Sequence, residues 1–210
     1  IAEAKEFYHH FSNNIVNNPT PNYLYVGTKR ASSPSCCLYV IPDSVMGIAA
    51  AHTLAELMAA GGAGLGAAVK LRSAGDPIRN GELVHFGRQR YTVSHSSVAI
   101  ENVAAGRSGA LCLYDMIYNP DFQYMVSAQN PRTPIAQRNR NAHVAFMDNP
   151  TFARRVARNE DFKPWNTFTA PGLWELITSG DDSAFEKAYK TWEDNNPDVK
   201  SVNARDTLLK

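Results

Sequence analysis

The feature that most constrains the fold is a short apolar run followed at once by a turn and an Ala-rich apolar stretch. The run Cys36–Ile41 is too short and too uniformly apolar to be a surface helix, which is typical of a β-strand. Pro42, Asp43 and Ser44 form a turn after it, and the Ser44 hydroxyl can cap a following helix. We therefore predict a strand over Cys36–Ile41 and a helix over Val45–Ala60.

The rest of the chain alternates between helical and strand patterns. Apolar residues at helical spacing predict an amphipathic N-terminal helix that ends near Asn17. Apolar, β-branched and aromatic runs predict strands at residues 23–27, 67–71, 82–86, 90–95, 111–117, 122–126 and 142–147. Helical periodicity and capping signals predict helices at residues 97–105, 150–158, 171–179 and 183–194.

These elements favour an α+β fold, in which a mixed β-sheet is flanked by an N-terminal helix and a C-terminal helical cluster. A length of 210 residues suits one domain, so we expect residues 1–210 to be a single domain cut from a longer chain. Residues 197–210 are predicted to be a peripheral tail. The longest apolar stretch, Val45–Ala60, is too short to cross a bilayer as a helix.

Composition excludes several classes of function. Hydrophobic residues make up 44% of the chain and charged residues 20%, which argues against disorder and coiled coils. The net charge of +1 argues against global attraction to nucleic acid or anionic lipid. The three cysteines do not make a disulfide set or a metal finger. We therefore expect a reducing compartment, no metal and no cofactor.

The residues that best fit catalytic chemistry are Thr28, Cys36 and His52. A thiol becomes a strong nucleophile when an imidazole takes its proton, and Cys36 and His52 lie on consecutive predicted elements. Cys37 is an alternative nucleophile, and the loop at residues 30–35 could supply backbone N–H groups to an oxyanion. In the competing interpretation, Cys36 and Cys37 only fill the core.

A family resemblance adds to the catalytic hypothesis. The matching residues are Tyr25-Val26-Gly27-Thr28, Ser35-Cys36, Asp43, Gly47 and Ala50-Ala51-His52. They resemble the motifs of bacterial chemoreceptor glutamine deamidases, and the thiol-to-imidazole spacing is similar to that of toxin deamidases of the cytotoxic necrotising factor type. The resemblance covers residues 24–52. It implies a thioester mechanism on a protein side chain, with Cys36 as nucleophile, His52 as base and Thr28 orienting the imidazole. It also implies an effector delivered into a host cytoplasm.

Two further enzyme hypotheses stay open. Cys112, His143 and Asp148 follow the order of a papain-like hydrolase, in which a third group orients the imidazole, although Cys112 fits a buried strand equally well. The segment Tyr23-Leu24-Tyr25-Val26-Gly27-Thr28-Lys29 resembles the strand with which many ADP-ribosyltransferases hold NAD. That resemblance implies an NAD-using domain.

A non-catalytic hypothesis rests on Arg138 and Arg140. They lie in the segment 128–141, which is rich in Asn, Gln, Arg and Pro and is predicted to be a long exposed loop. Guanidinium groups bind carboxylates and phosphates, so the loop could hold an acidic partner or, less favoured, nucleic acid. A merely solvated surface is the alternative. The glycine-rich run at residues 61–66 is interpreted as a flexible connector in preference to a phosphate-binding loop.

Overall fold

The computed structural model of the chain describes residues 1–25, 27–29, 34–101 and 109–209. Its helices are α1 (Ala2–Ser12), α2 (Thr20–Tyr25), α3 (Val45–Ala60), α4 (Arg88–Glu101), α5 (Phe122–Ser127), α6 (Pro150–Arg158), α7 (Leu173–Ser179), α8 (Asp182–Asn195) and α9 (Ala204–Leu208). Its strands are β1 (Cys36–Ile41), β2 (Gly64–Val69), β3 (Pro77–Ile78), β4 (Leu83–Val84), β5 (Ala110–Met116), β6 (Ala142–Met147), β7 (Asp161–Phe162) and β8 (Val202–Asn203).

The main sheet has four strands in the order β1-β2-β5-β6, and all of them run parallel. Antiparallel pairing occurs in two small sheets, β3 with β4 and β7 with β8. Helices flank the main sheet and follow it toward the C-terminus. The predicted fold class, with α and β elements in one architecture, is confirmed.

The segment from β1 to the end of α3 forms as its sequence predicts. The Ser44 side chain caps α3 by accepting a hydrogen bond from the backbone N–H of Gly47 at 3.0 Å. Ala51, Ala55 and Ala59 form the buried face of α3, and their small side chains let this helix approach β1 and β2 closely. No helix in the described ranges is long and apolar enough to cross a membrane.

The buried apolar residues form two clusters. The first lies between the main sheet and helices α3 and α4 and includes Leu65, Leu111 and Leu113. The second surrounds Tyr118 and joins the end of β5 to α6, α7, α8 and α9. Residues 197–210, which were predicted to be a peripheral tail, contribute the buried Ala204 to this second cluster.

The predicted hairpin over residues 82–86 and 90–95 is wrong. Only Leu83–Val84 is a strand there, and it pairs with Pro77–Ile78, while residues 90–95 lie inside α4. The helix begins where the backbone N–H of Arg88 donates to the carboxylate of Asp121 at 3.2 Å, a partner that is distant in sequence. The buried residues of α4 have helical spacing but include several polar ones, namely Arg88, Thr92, His95 and Ser96. An apolar pattern therefore does not reveal the helix.

Two further predicted strands are helices. Thr20–Tyr25 is α2 where a strand was predicted at residues 23–27, and Val26 lies outside the described residues. Phe122–Ser127 is α5, with Phe122 and Met125 buried three positions apart on one face. Both segments are short and rich in aromatic residues, which favour strands by composition alone. The predicted helix at 97–105 overlaps the end of α4 and continues outside the described residues.

The glycine-rich run at residues 61–66 ends inside β2 instead of forming a free connector. Gly66 lies in the middle of the sheet, where a Cβ atom would come within 2.6 Å of a Leu38 methyl group and 3.3 Å of the Tyr114 ring. Both side chains reach over β2 from the neighbouring strands, so a larger residue at this position would have to displace them. Glycine is favoured at position 66 because a side chain would crowd its neighbours, and not because the backbone adopts a left-handed conformation.

Candidate functional site

One face of the main sheet is exposed over much of its area, and we call it the open face. Its side chains come from alternate positions of the strands, as the pleat of a β-sheet requires. It consists of Cys36, Leu38 and Val40 of β1, Gly64 and Gly66 of β2, Cys112 and Tyr114 of β5, and His143 of β6. Leu38 is 79% exposed although it sits within the sheet. An apolar face of this kind is a candidate binding surface.

Cys36 begins β1 at the amino edge of the open face, and its thiol is free and exposed. The backbone N–H of Gly64 donates to the carbonyl of Ser35 at 2.8 Å, which holds the residue before Cys36 against β2. A Cβ atom on Gly64 would lie 3.8 Å from the Cys36 sulfur, so the missing side chain leaves the space beside the thiol open. The structure thus presents Cys36 to solvent on a fixed strand.

The second cysteine of the open face, Cys112, lies beside His143 in the register of β5 and β6. A hydrogen bond to the Cys112 thiol raises the pKa of the neighbouring Tyr114 phenol. Asp148, the third member of the predicted papain-like group, follows the far end of β6, about 16 Å along the strand from His143. The structure therefore brings Cys112 and His143 together but not Asp148.

His52 lies on the helix-covered side of the sheet. The centroids of the His52 and His95 rings are 4.5 Å apart in an edge-on arrangement. His95 Nε2 is hydrogen-bonded to the Tyr39 hydroxyl at 2.5 Å. Burial, together with the nearby His52, lowers the pKa of His95 to about 4. Burial also raises the pKa of the Tyr39 phenol. These three side chains form a polar group beside the first core cluster, against which Tyr39 packs.

The predicted group of Thr28, Cys36 and His52 is not assembled. Successive side chains of β1 point to opposite faces of the sheet, so Tyr39 packs on the first core cluster while Cys36 lies on the open face. His52 contacts His95, the hydrogen-bond partner of Tyr39, and Cys36 and His52 therefore lie on opposite sides of β1. The Thr28 hydroxyl donates to the carbonyl of Tyr25 at 2.8 Å. Spacing along the chain had suggested proximity, but the alternation of the strand separates the thiol from the imidazole.

A buried polar cluster at the carboxyl edge of the main sheet escaped the sequence prediction. Arg88 forms an ion pair with Asp115, and its guanidinium also donates to the carbonyls of Val69 and Leu71. Burial raises the pKa of Asp115, an effect that Arg88 opposes. Asp121 accepts hydrogen bonds from the backbone of Ala74 and Arg88. The cluster fastens the loop after β2 to β5. The signal available in the sequence was Asp115, a charged residue inside the predicted strand at 111–117.

Two cavities of similar size flank the sheet. One, of about 460 Å³, is lined by Arg72, Pro77, Ile78, Arg79, Asn80, Gly81 and Phe168. The other, of about 410 Å³, is lined by Gln129, Pro131, Arg138, Asn139 and Arg140. The second cavity brings together the two arginines that the sequence singled out. In the part of the chain that the structure describes, no group of three or more His, Cys, Asp or Glu side chains could hold a metal ion.

Comparison with known proteins gives one consistent result. A family model described as the barrel domain of ribonucleotide reductase matches residues 34–210. The alpha subunit of ribonucleoside-diphosphate reductase 1 from Escherichia coli K12 is 27% identical over 196 residues, which cover 92% of this chain and 26% of that protein. The large subunit of the Plasmodium falciparum (isolate Dd2) reductase is 26% identical over 210 residues, 98% of this chain and 26% of that protein. The chain thus spans about a quarter of the length of these relatives.

These matches overturn the functional hypotheses drawn from the sequence. The resemblance to glutamine deamidases at residues 24–52 is wrong, because the family model covers most of the chain and the relatives are reductases. Cysteine-dependent amide processing, the ADP-ribosyltransferase alternative and the effector role are wrong with it. A domain whose whole role is non-catalytic binding through the Arg-rich loop is also not supported by these relatives, while ligand binding by Arg138 and Arg140 themselves stays a prediction. The local motifs indicated the wrong family because a thiol, a histidine and small residues recur in many unrelated sequences by chance.

Proposed function

The chain belongs to the family of the ribonucleotide reductase barrel domain, and from that premise we propose that it acts in the reduction of a ribonucleoside diphosphate with Cys36 as a reducing thiol. The observation that carries the proposal is the exposed Cys36 thiol at the amino edge of the open face. A reductase needs an electron donor, and Cys36 is the more exposed of the two thiols on this face.

The open face suits the interior of a barrel. In the described chain, β1 and β6 are the edges of a four-stranded sheet, and closing a sheet into a barrel takes about eight strands. The chain spans about a quarter of its relatives' length, so strands from the rest of a full-length protein can complete the barrel. The exposed apolar Leu38 then faces its interior. On this view Cys36 projects into an enclosed space where a nucleotide can be held away from water.

The redox balance of the reaction requires a second thiol. Replacing a hydroxyl of the nucleotide by hydrogen releases water and takes up two electrons and two protons. Two thiols supply both when they join as a disulfide. Cys36 therefore needs a cysteine partner whose Cα atom comes within about 7 Å.

Neither other cysteine of the chain suits that role. Cys37 is the next residue of an extended strand and points to the opposite face. Cys112 shares the open face, but it pairs with Gly66 while Cys36 pairs with Gly64. Two strand spacings and a two-residue offset put the Cα atoms of Cys36 and Cys112 about 12 Å apart. The partner thiol is therefore supplied by a part of the full-length protein outside this chain.

The partner of this chain is another reductase subunit. The names of the relatives, subunit alpha and large subunit, state that those proteins act as one component of a complex. A protein side chain as the substrate has no support from these relatives. The proposed substrate is instead a ribonucleoside diphosphate.

Substitution of Cys36 tests this function. In the full-length protein that carries this sequence, Cys36→Ser is expected to lower the turnover of a ribonucleoside diphosphate by about 100-fold or more, because serine cannot form a disulfide. Product formation is measured by chromatography in the presence of an external dithiol. Cys112→Ser, on the same face, is the matched control and should retain most of the activity. Near-normal turnover of the Cys36→Ser protein, with an unchanged unfolding transition, would refute the role of Cys36.

A further inference from the structure

We propose that the cavity formed by Gln129, Pro131, Arg138, Asn139 and Arg140 binds the phosphate group of a small molecule, and we call it the arginine pocket. Its volume of about 410 Å³ is large enough for a phosphate ester. It precedes β6 at the amino edge of the sheet, while Cys36 begins β1 three strands away. The proposal stands apart from the role of Cys36, because it requires only the local structure of this loop.

The loop that carries the pocket is firmly held. The Thr133 hydroxyl donates to the carbonyl of Ser127 at 2.6 Å, and the backbone N–H of Asn139 donates to the carbonyl of Ala128 at 2.9 Å. From α4, the Gln89 amide donates to the carbonyl of Gln137 at 2.8 Å. These contacts tie both ends of the loop to the rest of the fold. Folding has therefore already ordered this loop, and a ligand that binds here loses little affinity to the entropy of ordering its site.

The two guanidinium groups are available to an anion. Among the described residues, neither Arg138 nor Arg140 forms an ion pair with a carboxylate. One nitrogen of Arg138 donates to the carbonyl of Pro131 at 2.8 Å, which orients the side chain along the rim and leaves its other donors for a ligand. By contrast, Arg154 and Arg155 are each paired with acidic side chains of α8. The arginine pocket thus has positive charge without an internal counter-ion.

Asn139 provides an independent indication of a missing ligand. This residue is 3% exposed, and neither its side-chain oxygen nor its side-chain nitrogen has a hydrogen-bond partner in the described structure. A buried amide without hydrogen-bond partners is energetically unfavourable. Gln129 donates to the carbonyl of Asn139 at 3.3 Å and thereby holds its backbone in place. A phosphate oxygen, or a water held by it, would give the Asn139 amide an acceptor.

The chemistry of the lining selects an oxyanion. The pocket contains two guanidinium groups, two carboxamides and one proline, and none of these offers an aromatic platform for a base. Guanidinium groups donate two parallel hydrogen bonds to phosphate oxygens, a geometry that lysine cannot provide. A phosphate group is therefore the expected anchor. The rest of the ligand would extend through the open mouth of the pocket.

Calorimetric titration of the full-length protein in a phosphate-free buffer tests the arginine pocket. Inorganic phosphate and ribose 5-phosphate are the probes that distinguish free phosphate from a phosphate ester, and malonate is the carboxylate control. We expect saturable binding of at least one phosphate probe and weaker binding of malonate. Arg140→Gln should raise the Kd for that probe about tenfold or more, because a charge-assisted contact is lost.

Two variants keep the outcome interpretable. Arg132→Gln changes an exposed arginine of the same loop that does not line the pocket, so it should leave the Kd unchanged. Arg140→Lys keeps the charge but not the paired hydrogen bonds and should give an intermediate Kd. Absence of phosphate binding, or equal Kd values for the wild type, Arg140→Gln and Arg132→Gln, would overturn the proposal. So would binding of malonate as tight as that of phosphate.

Discussion

His95 is a buried histidine at the edge of the first core cluster. It is buried between Tyr39, which is hydrogen-bonded to its Nε2 atom, and the edge-on ring of His52. Its Nδ1 atom has no hydrogen-bond partner in the described structure. Burial disfavours the imidazolium form, and the pKa of His95 falls from 6.5 to about 4. Folding therefore keeps this histidine neutral.

This pKa shift predicts a loss of stability in weak acid. Between about pH 6.5 and pH 4, the unfolded chain binds a proton on His95 and the folded chain does not, so the free energy of unfolding decreases as the pH falls. The slope attributable to this residue approaches about 1.4 kcal/mol per pH unit. Urea unfolding at a series of pH values measures it.

His95→Gln is expected to flatten that slope, because glutamine does not titrate. His143→Gln, on the open face, provides the matched control and should keep the slope of the wild type. Equal slopes for the wild type and His95→Gln would show that another group is responsible.

Single residues were partly predictable. The sequence indicated that Cys36 begins a strand and that Arg138 and Arg140 share a loop, and the structure places them in those positions. It did not indicate that His52 faces His95, because the side of the sheet that a helix covers depends on contacts between distant segments. The spacing of residues along the chain does not indicate on which face of β1 the His52 imidazole lies.

At the scale of elements, the first turn of α3 depends on Gly47. A Cβ atom at this position would approach the Cγ atom of Pro42 to 2.2 Å and the Ser44 hydroxyl to 2.8 Å. The same turn relies on the hydrogen bond from the Gly47 backbone to Ser44. The tight path from β1 into α3 therefore requires the absence of a side chain here.

Gly47→Ala should destabilise the protein, although alanine normally favours an exposed helix by about 1 kcal/mol over glycine. The clash with Pro42 forces the turn or the cap to move, and we expect a loss of about 1–3 kcal/mol in the free energy of unfolding. Urea denaturation measures the change. Thr53→Ala, at an exposed position of α3, is the control and should be close to neutral. A stabilised Gly47→Ala protein would contradict the close packing of this turn.

Elements with a strong local signal were predicted well. The strands β1, β5 and β6 and the helices α3, α6 and α8 lie close to their predicted positions, because their apolar patterns and caps are local. Residues 90–95 of α4, and most of α5, were predicted as strands. The start of α4 depends on a carboxylate from Asp121, and much of its buried face is polar. Long-range contacts outweigh local propensity in such segments.

At the scale of the molecule, the architecture explains why the sequence alone did not indicate the proposed function. The chain has two apolar clusters, yet its main sheet keeps an exposed apolar face and two unpaired edges within the described residues. The proposed barrel needs strands from elsewhere, and so does the proposed disulfide. The chain spans about a quarter of its relatives' length, and under the proposed function it carries one of the two thiols of the redox pair.

Mapping the thiols of the full-length protein after a single turnover, without an external dithiol, tests the central claim most directly. The protein is mixed with a ribonucleoside diphosphate, alkylated and digested, and the peptides are identified by mass spectrometry. We predict that Cys36 becomes disulfide-bonded to a cysteine outside this chain in proportion to the product formed, while Cys37 and Cys112 remain free thiols. Formation of product while Cys36 stays a free thiol would contradict the account.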